Sequence, residues 1–205
     1  MSIYVRPDVS GATVFFTVCL AHRQSTMLVD DVVLLRKAVR ETKAELPFEI
    51  MAWVTLPDHI HAIWRLPDGD KEFGKRWGMI KSKFSRGVLR RHGWPKQKVE
   101  VDPNGRVRVA HQDPKDERCA MRTLRHSQIA RRETGIWQRR FYEHHIRNDR
   151  DLTAHLHYCW YNPVKHGLCE RPTDWPYSSI HRDAKLGKVD PEWIGSSEDL
   201  EAGEP

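Results

Sequence analysis

Hydrophobic and polar positions follow two rhythms along this chain. Thr13-Val14-Phe15-Phe16-Thr17-Val18-Cys19-Leu20 is β-branched and aromatic throughout, the mark of a buried strand. Val32, Leu35, Val39 and Leu46 then recur at helical spacing and predict a helix over about 30–46, with Asp30 or Asp31 as its cap. Phe48 to Leu56 and His59 to Leu66 read as two more strands, joined by a tight Pro57-Asp58 turn into a hairpin. Phe73, Trp77, Ile80, Phe84 and Val88 lie on one stripe, which predicts a helix over about 71–91.

The pattern changes after residue 91. Val99-Glu100-Val101 and Val107-Arg108-Val109 alternate around Asp102-Pro103-Asn104-Gly105, a hairpin signal. A basic helix is expected over about 115–132, and the whole stretch of about 92–133 reads as an insertion. Trp137 to Ile146 is expected to be a fourth strand. Asn148 or Asp149 caps a helix of about 150–161, which Pro163 should end. Asp174 to Ser179 turns into a short helix. This order implies an α+β fold: a ferredoxin-like antiparallel sheet with helices on one face, plus the insertion and a C-terminal extension. Residues 1–188 form one domain in this reading, and 189–205 an acidic, loose tail.

Charge sharpens the picture. The 205 residues hold 34 Lys+Arg against 28 Asp+Glu, net +6. Residues 71–150 alone carry 22 basic and 9 acidic side chains, so a basic middle sits in an acidic remainder. Such a block points to a polyanionic partner. No apolar run approaches the roughly 18–20 residues of a membrane span, and the N-terminus has no apolar leader. Cys19, Cys119, Cys159 and Cys169 form no CxxC pair, which fits a reducing cytosol. There is no glycine-rich phosphate loop.

Two constellations carry chemistry. In a strand, His59 and His61 point to one face and Ile60 to the other. Two imidazoles so placed can chelate one divalent metal, although the same pair also serves as ordinary strand histidines. On the capped helix, Tyr158 and Asn162 stand four residues apart and share a face, with His155 one turn before. Asn162 offers a neutral oxygen to complete a metal shell, or acts as a helix C-cap before Pro163. A phenol with a pKa near 10 attacks only when its proton is taken or withdrawn. Together the constellations fit a metal that polarises a scissile phosphate and a tyrosine that attacks it in line. The phosphotyrosine conserves the bond energy for religation, so the reaction would be DNA strand transfer.

Leu56-Pro57-Asp58-His59-Ile60-His61-Ala62-Ile63-Trp64 resembles the His-hydrophobe-His motif of the HUH single-tyrosine transposases. Trp137-Gln138-Arg139-Arg140-Phe141-Tyr142-Glu143-His144, Tyr158 to Gly167, and Asp174-Trp175-Pro176-Tyr177-Ser178-Ser179 resemble one branch of them, the REP-associated tyrosine transposases. The likeness covers most of about 12–91 and 134–195; the insertion is longer than that pattern expects. The resemblance implies a ferredoxin-like fold, a Mg²⁺ or Mn²⁺ cofactor, and single-stranded DNA hairpins of repetitive extragenic palindromes as partner. It implies cleavage and rejoining through a 5′-phosphotyrosine. It places the nucleophile at Tyr158 and the metal on His59, His61 and Asn162, with Tyr161 and Tyr142 as competing tyrosines. A bacterial, nucleoid-associated cytoplasmic protein is expected, monomer or homodimer.

Lys81, Lys83 and Arg86 on the basic helix, and Arg139, Arg140, Arg147 and Lys165 in the family-like motifs, are the candidate DNA contacts. The tail from Val189 carries six acidic residues and no basic one, and would compete with DNA for the basic block. Two other functions remain open: a non-catalytic hairpin-DNA-binding regulator on the same fold, and a metal-dependent RNA-processing nuclease that has no use for Tyr158.

Overall fold

The computed structural model describes residues 9–92, 99–101, 107–109 and 135–195. The three β-branched, aromatic runs form β1 (Thr13–Cys19), β2 (Glu49–Thr55) and β3 (His59–Arg65). With β6 (Tyr142–His145) they make an antiparallel sheet in the order β2-β3-β1-β6. Helices α1 (Met27–Asp30) and α2 (Val32–Glu45) connect β1 to β2, and α3 (Phe73–His92) leads away from β3. Strands β4 (Val99–Val101) and β5 (Val107–Val109) pair as the expected hairpin, Val99 opposite Val109. The expected helix at 115–132 and the tail beyond 195 lie outside the described residues. Helix α4 (Asp149–Lys165), a 3-10 turn (Pro172–Asp174) and α5 (Ile180–Lys185) complete the chain.

Strand alternation gives the sheet two different faces. Val14, Phe16, Val18, Ile60, Ala62 and Trp64 face α2 and α3 and bury Leu35, Trp77, Ile80 and Phe84. Trp64 and Trp77 stack there, 4.4 Å between centroids and 17° between planes. Each such fully buried side chain contributes about 1.5–3 kcal/mol. At the rim of this layer the buried Arg76 donates to Asp70 (2.6 Å) and to the carbonyls of Leu46 and Pro47 just past the end of α2. The opposite face presents Phe15, Val54 and Ile63, and α4 covers it with Tyr158 and Cys159. The α+β antiparallel sheet is as expected; α2 and α3 are the helices on its one face, and α4 adds a layer on the other.

Local departures have physical reasons. Asp31 stands at the N-cap position of α2, but its buried carboxylate pairs with Arg91 (2.9 Å) and His92 (2.8 Å) at the end of α3 instead of capping. The fourth strand is shorter than Trp137–Ile146; Trp137 makes only an isolated bridge with Leu20. Helix α4 runs through Pro163 rather than ending before it. Proline deletes one amide donor near the end of the helix, and the true stop is Gly167, with φ +64°. Its amide bonds Val164 O (2.9 Å) and the amide of Leu168 bonds Pro163 O (2.9 Å), closing the helix with a left-handed glycine. Asn162 is therefore an interior helical residue, not a C-cap. The outer edge of β2 is covered: Tyr177 O accepts from the Thr55 amide, Trp53 O from the Ser179 amide, and Arg182 donates to the carbonyls of Ile50 and Met51.

Candidate functional site

Strand register builds one half of the site. Ile60 points into the α2–α3 layer, so His59 and His61 point toward α4. Both imidazoles are buried, with centroids 4.9 Å apart and planes 85° apart. Each is oriented through Nδ1: His59 to Asp58 Oδ1 at 2.6 Å, and His61 to Thr17 Oγ1 at 2.9 Å across the β1–β3 pair. A carboxylate can only accept from an imidazole N–H, so His59 Nδ1 carries a proton, and in the neutral ring the lone pair lies on Nε2. This is how a second partner prepares a histidine to ligate a metal. Asp58 in turn holds Arg23 Nε at 3.0 Å. Burial pushes the Asp58 pKa up, but the hydrogen bond and charge of His59 and the charge of Arg23 outweigh it, and the net shift is downward. Burial, then the charges of His59, His166, Lys165 and Arg23, hold His61 neutral, well below the usual imidazole range.

Helix α4 supplies the other half. Asn148 caps it by accepting from the Asp151 amide at 3.0 Å, and Asp151 returns a bond to the Arg147 amide at 2.9 Å. Tyr158 is buried, edge-on to His61 at 5.1 Å and to Phe15 at 5.8 Å. Asn162, one turn on, is fully buried. Lys165 Nζ lies over the Tyr158 ring, 5.4 Å from its centroid. Beyond the helix end, His166 stands edge-on to His59 at 5.1 Å.

At this site His61 Nε2, Asn162 Oδ1 and Asn162 Nδ2 are buried without a hydrogen-bond partner; among the described residues the same holds elsewhere, at Trp64 Nε1 and Trp77 Nε1 for example. A buried polar group left unpaired costs about 1–3 kcal/mol. The first two are a nitrogen lone pair on β3 and an oxygen lone pair on α4, the helix that carries Tyr158. That donor set, with His59 Nε2, fits a divalent cation that accepts both imidazole and oxygen ligands. The sequence-expected residues His59, His61, Tyr158 and Asn162 thus share one face.

His155 does not join them. It pairs with Asp151 (3.0 Å), which His144 of β6 also contacts (2.9 Å). Among the described residues this group has its ligating atoms within 4.8 Å of one another, close enough to hold a metal ion. Here the rings are stacked, 4.6 Å and 11° apart, and His155 Nδ1 also donates to the Asp151 carbonyl at 2.8 Å. Both histidines meet the same carboxylate, so the group ties β6 to the first turns of α4.

The candidate DNA contacts divide. Arg86, Arg139, Arg140 and Arg147 are exposed. Lys83 is ion-paired with Glu41 and Glu45. Lys81 lies over the rings of Trp137 and Phe141 and donates to Gln138 O at 3.1 Å; burial lowers its pKa to about 8. Tyr161 packs against Gly195, and Tyr142 lies edge-on to Phe15 at 6.3 Å. Sequence reasoning missed Thr17, Asp58, Arg23 and His166. Asp58 and His166 lie inside the family-like motifs and were within reach; Thr17 follows only from strand register, and Arg23 sits in a loop without pattern. A separate groove of about 990 Å³ crosses the β2 edge between α2 and α5, and none of the site residues line it.

No protein-family model matches the chain. A REP-associated tyrosine transposase of Escherichia coli K12 is 37% identical over 204 residues, covering 100% of this chain and 98% of the relative. A Haemophilus influenzae Rd protein, provisionally given the same name, is 39% identical over 200 residues, covering 98% of this chain and 97% of the relative. A solved structure of a REP-associated tyrosine transposase bound to a REP hairpin superposes with a TM-score of 0.72 at 36% identity, covering 100% of this chain and 98% of that one. Among the described residues no helix is long and apolar enough to cross a membrane.

Proposed function

This chain belongs to the REP-associated tyrosine transposases, and on that premise we propose that it cleaves and rejoins single-stranded, REP-type hairpin DNA with Tyr158 as nucleophile. The observation that carries the reading is the buried, unpaired His61 Nε2 with its ring against that of Tyr158, and the buried, unpaired Asn162 Oδ1 one turn along the helix that bears Tyr158. A partner of the same kind is bound in the related hairpin complex.

His59 and His61 through Nε2, and Asn162 through Oδ1, would hold Mg²⁺ or Mn²⁺. Such an ion, when bound, polarises the scissile phosphate as a Lewis acid. The protein's own groups do the rest. Asp58 and Thr17 fix the ring orientations. Lys165 over the Tyr158 ring sets a positive charge beside the nucleophile. The phenolate oxygen attacks phosphorus, the phosphorus–O3′ bond breaks, and the proton lost by Tyr158 is balanced by one gained at the 3′ oxygen. The product is a 5′-phosphotyrosine and a free 3′-hydroxyl, which reverses on religation. Arg86, Arg139, Arg140 and Arg147 grip phosphates; Lys81 and Lys83, already engaged with protein groups, contribute less to that grip.

The test incubates labelled hairpin DNA with the protein and Mn²⁺ and looks for a covalent adduct. Wild type should form it, and Tyr158→Phe should bind the hairpin without forming it. Binding without any adduct in the wild type would favour the regulator. Cleavage of RNA that survives Tyr158→Phe would favour the nuclease.

A further inference from the structure

We propose that Arg23 is a further catalytic residue, whose guanidinium contacts the scissile phosphate; this rests on the DNA-cleavage reading above. Arg23 lies in the loop that leaves β1 just after Cys19, and Cys19 pairs directly with His59 across the sheet. The loop therefore opens at the metal-ligating end of β3. Asp58 holds the guanidinium through Nε at 3.0 Å, and the same carboxylate holds His59.

The contact with Asp58 does not bury Arg23. Its side chain is 48% exposed while Asp58 is 12% exposed. An arginine recruited only to neutralise Asp58 would be served by a closed ion pair. Here Nε is fixed on the carboxylate that also holds His59, and the rest of the side chain stays half exposed. Cys19 is within reach of the guanidinium, but a thiol is a weak partner. The positive charge is also felt at His61, one of the ligand pair, and at His166, which stands against the other. A planar, permanently charged fork already oriented by a carboxylate is suited to the equatorial oxygens of a phosphate under attack. With Lys165 over the nucleophile ring, Arg23 would flank the reacting phosphate from the loop side. The long reach of the side chain and its fixed Nε make this a site for charge that develops in the transition state.

The experiment measures three quantities on the full chain: hairpin affinity, Mn²⁺ affinity, and the single-turnover rate of adduct formation at saturating Mn²⁺ and DNA. Wild type, Arg23→Ala, Arg23→Lys and Asp58→Asn are compared. Arg23→Ala is expected to lose about 10²-fold in rate, the scale of one missing transition-state donor. Its Mn²⁺ and hairpin affinities should stay within about threefold of wild type, and Arg23→Lys should recover part of the rate. Asp58→Asn should instead lose about 10–100-fold in Mn²⁺ affinity. An Arg23→Ala rate that returns to wild type once Mn²⁺ is saturating would mean that Arg23 only braces Asp58 and His59, and the proposal falls. It also falls if the rate is unaffected, or if the loss matches a loss of hairpin affinity. A wild type that forms no adduct would overturn the cleavage reading itself.

Discussion

The two faces of the sheet are built from the same strands and differ in kind. The α2–α3 face stacks Trp64 on Trp77 and surrounds them with Phe16, Phe48 and Phe73. The α4 face sets His59 and His61 of β3 against Tyr158 and Asn162 of α4, so ionisable and amide groups are buried where the other face buries mainly rings. Side chains of the first kind hold the fold together through apolar area. Under the proposed function, those of the second kind sacrifice stability for a reactive arrangement. A single residue step along β3 switches from one to the other, because Ile60 and Trp64 point one way and His59, His61 and Ile63 the other.

The contrast predicts opposite responses to mutation. Trp77→Ala should destabilise by about 3–5 kcal/mol, read from the denaturant midpoint, because nothing in that layer can collapse around the lost ring. A cost below about 1 kcal/mol would mean that the aromatic face is not the main support.

A smaller effect comes from pH. In the unfolded chain His61 takes up a proton near pH 6.5, and in the fold burial and its cationic neighbours delay this to well below that. Between those values the unfolded state binds more protons, so stability present above pH 6.5 is lost as pH falls. Denaturation of metal-free protein should show a decline of up to about 1.4 kcal/mol per pH unit from His61. His145, His155 and His166 shift in the same direction, each by burial first. His61→Gln should flatten the slope; an unchanged slope would remove His61 from the account.

Asn162→Leu replaces an unpaired buried amide with an apolar side chain of similar size. It should raise the metal-free stability by about 1 kcal/mol and remove most of the rise in Tm that Mn²⁺ gives the wild type. A loss of several kcal/mol would show that Asn162 belongs to the supporting structure. The smallest change is Gly167→Ala. Nothing lies within 4 Å of the added carbon, so only the left-handed backbone is strained, at about 1 kcal/mol. Thermal melting would detect it, with the Mn²⁺ response intact.

Much of this arrangement was legible in the chain. Period-two alternation was enough to put His59 and His61 opposite Ile60, and the spacing of Tyr158 and Asn162 was enough to align them on a helix. The stripe from Phe73 to Val88 was read correctly because all its members are buried. Reading failed where long-range partners decide. Asp31 looked like a cap, but Arg91 and His92 claim its carboxylate. Pro163 looked like a stop, but the glycine four residues later ends α4. His155 looked like a member of the site, but the clamp to His144 depends on β6 pairing beside Phe15. Arg23 carries no periodic signal and emerges only from its bond to Asp58.

The central claim is that the α4 face holds the reacting tyrosine. Peptide mapping of the protein–DNA adduct tests it most directly, because Tyr142, Tyr158 and Tyr161 are separate candidates. The account predicts a Mn²⁺-dependent nucleotide modification on Tyr158 alone, abolished by His61→Ala. A modification on Tyr161 or Tyr142, or one on Tyr158 that forms equally well in His61→Ala, would contradict it.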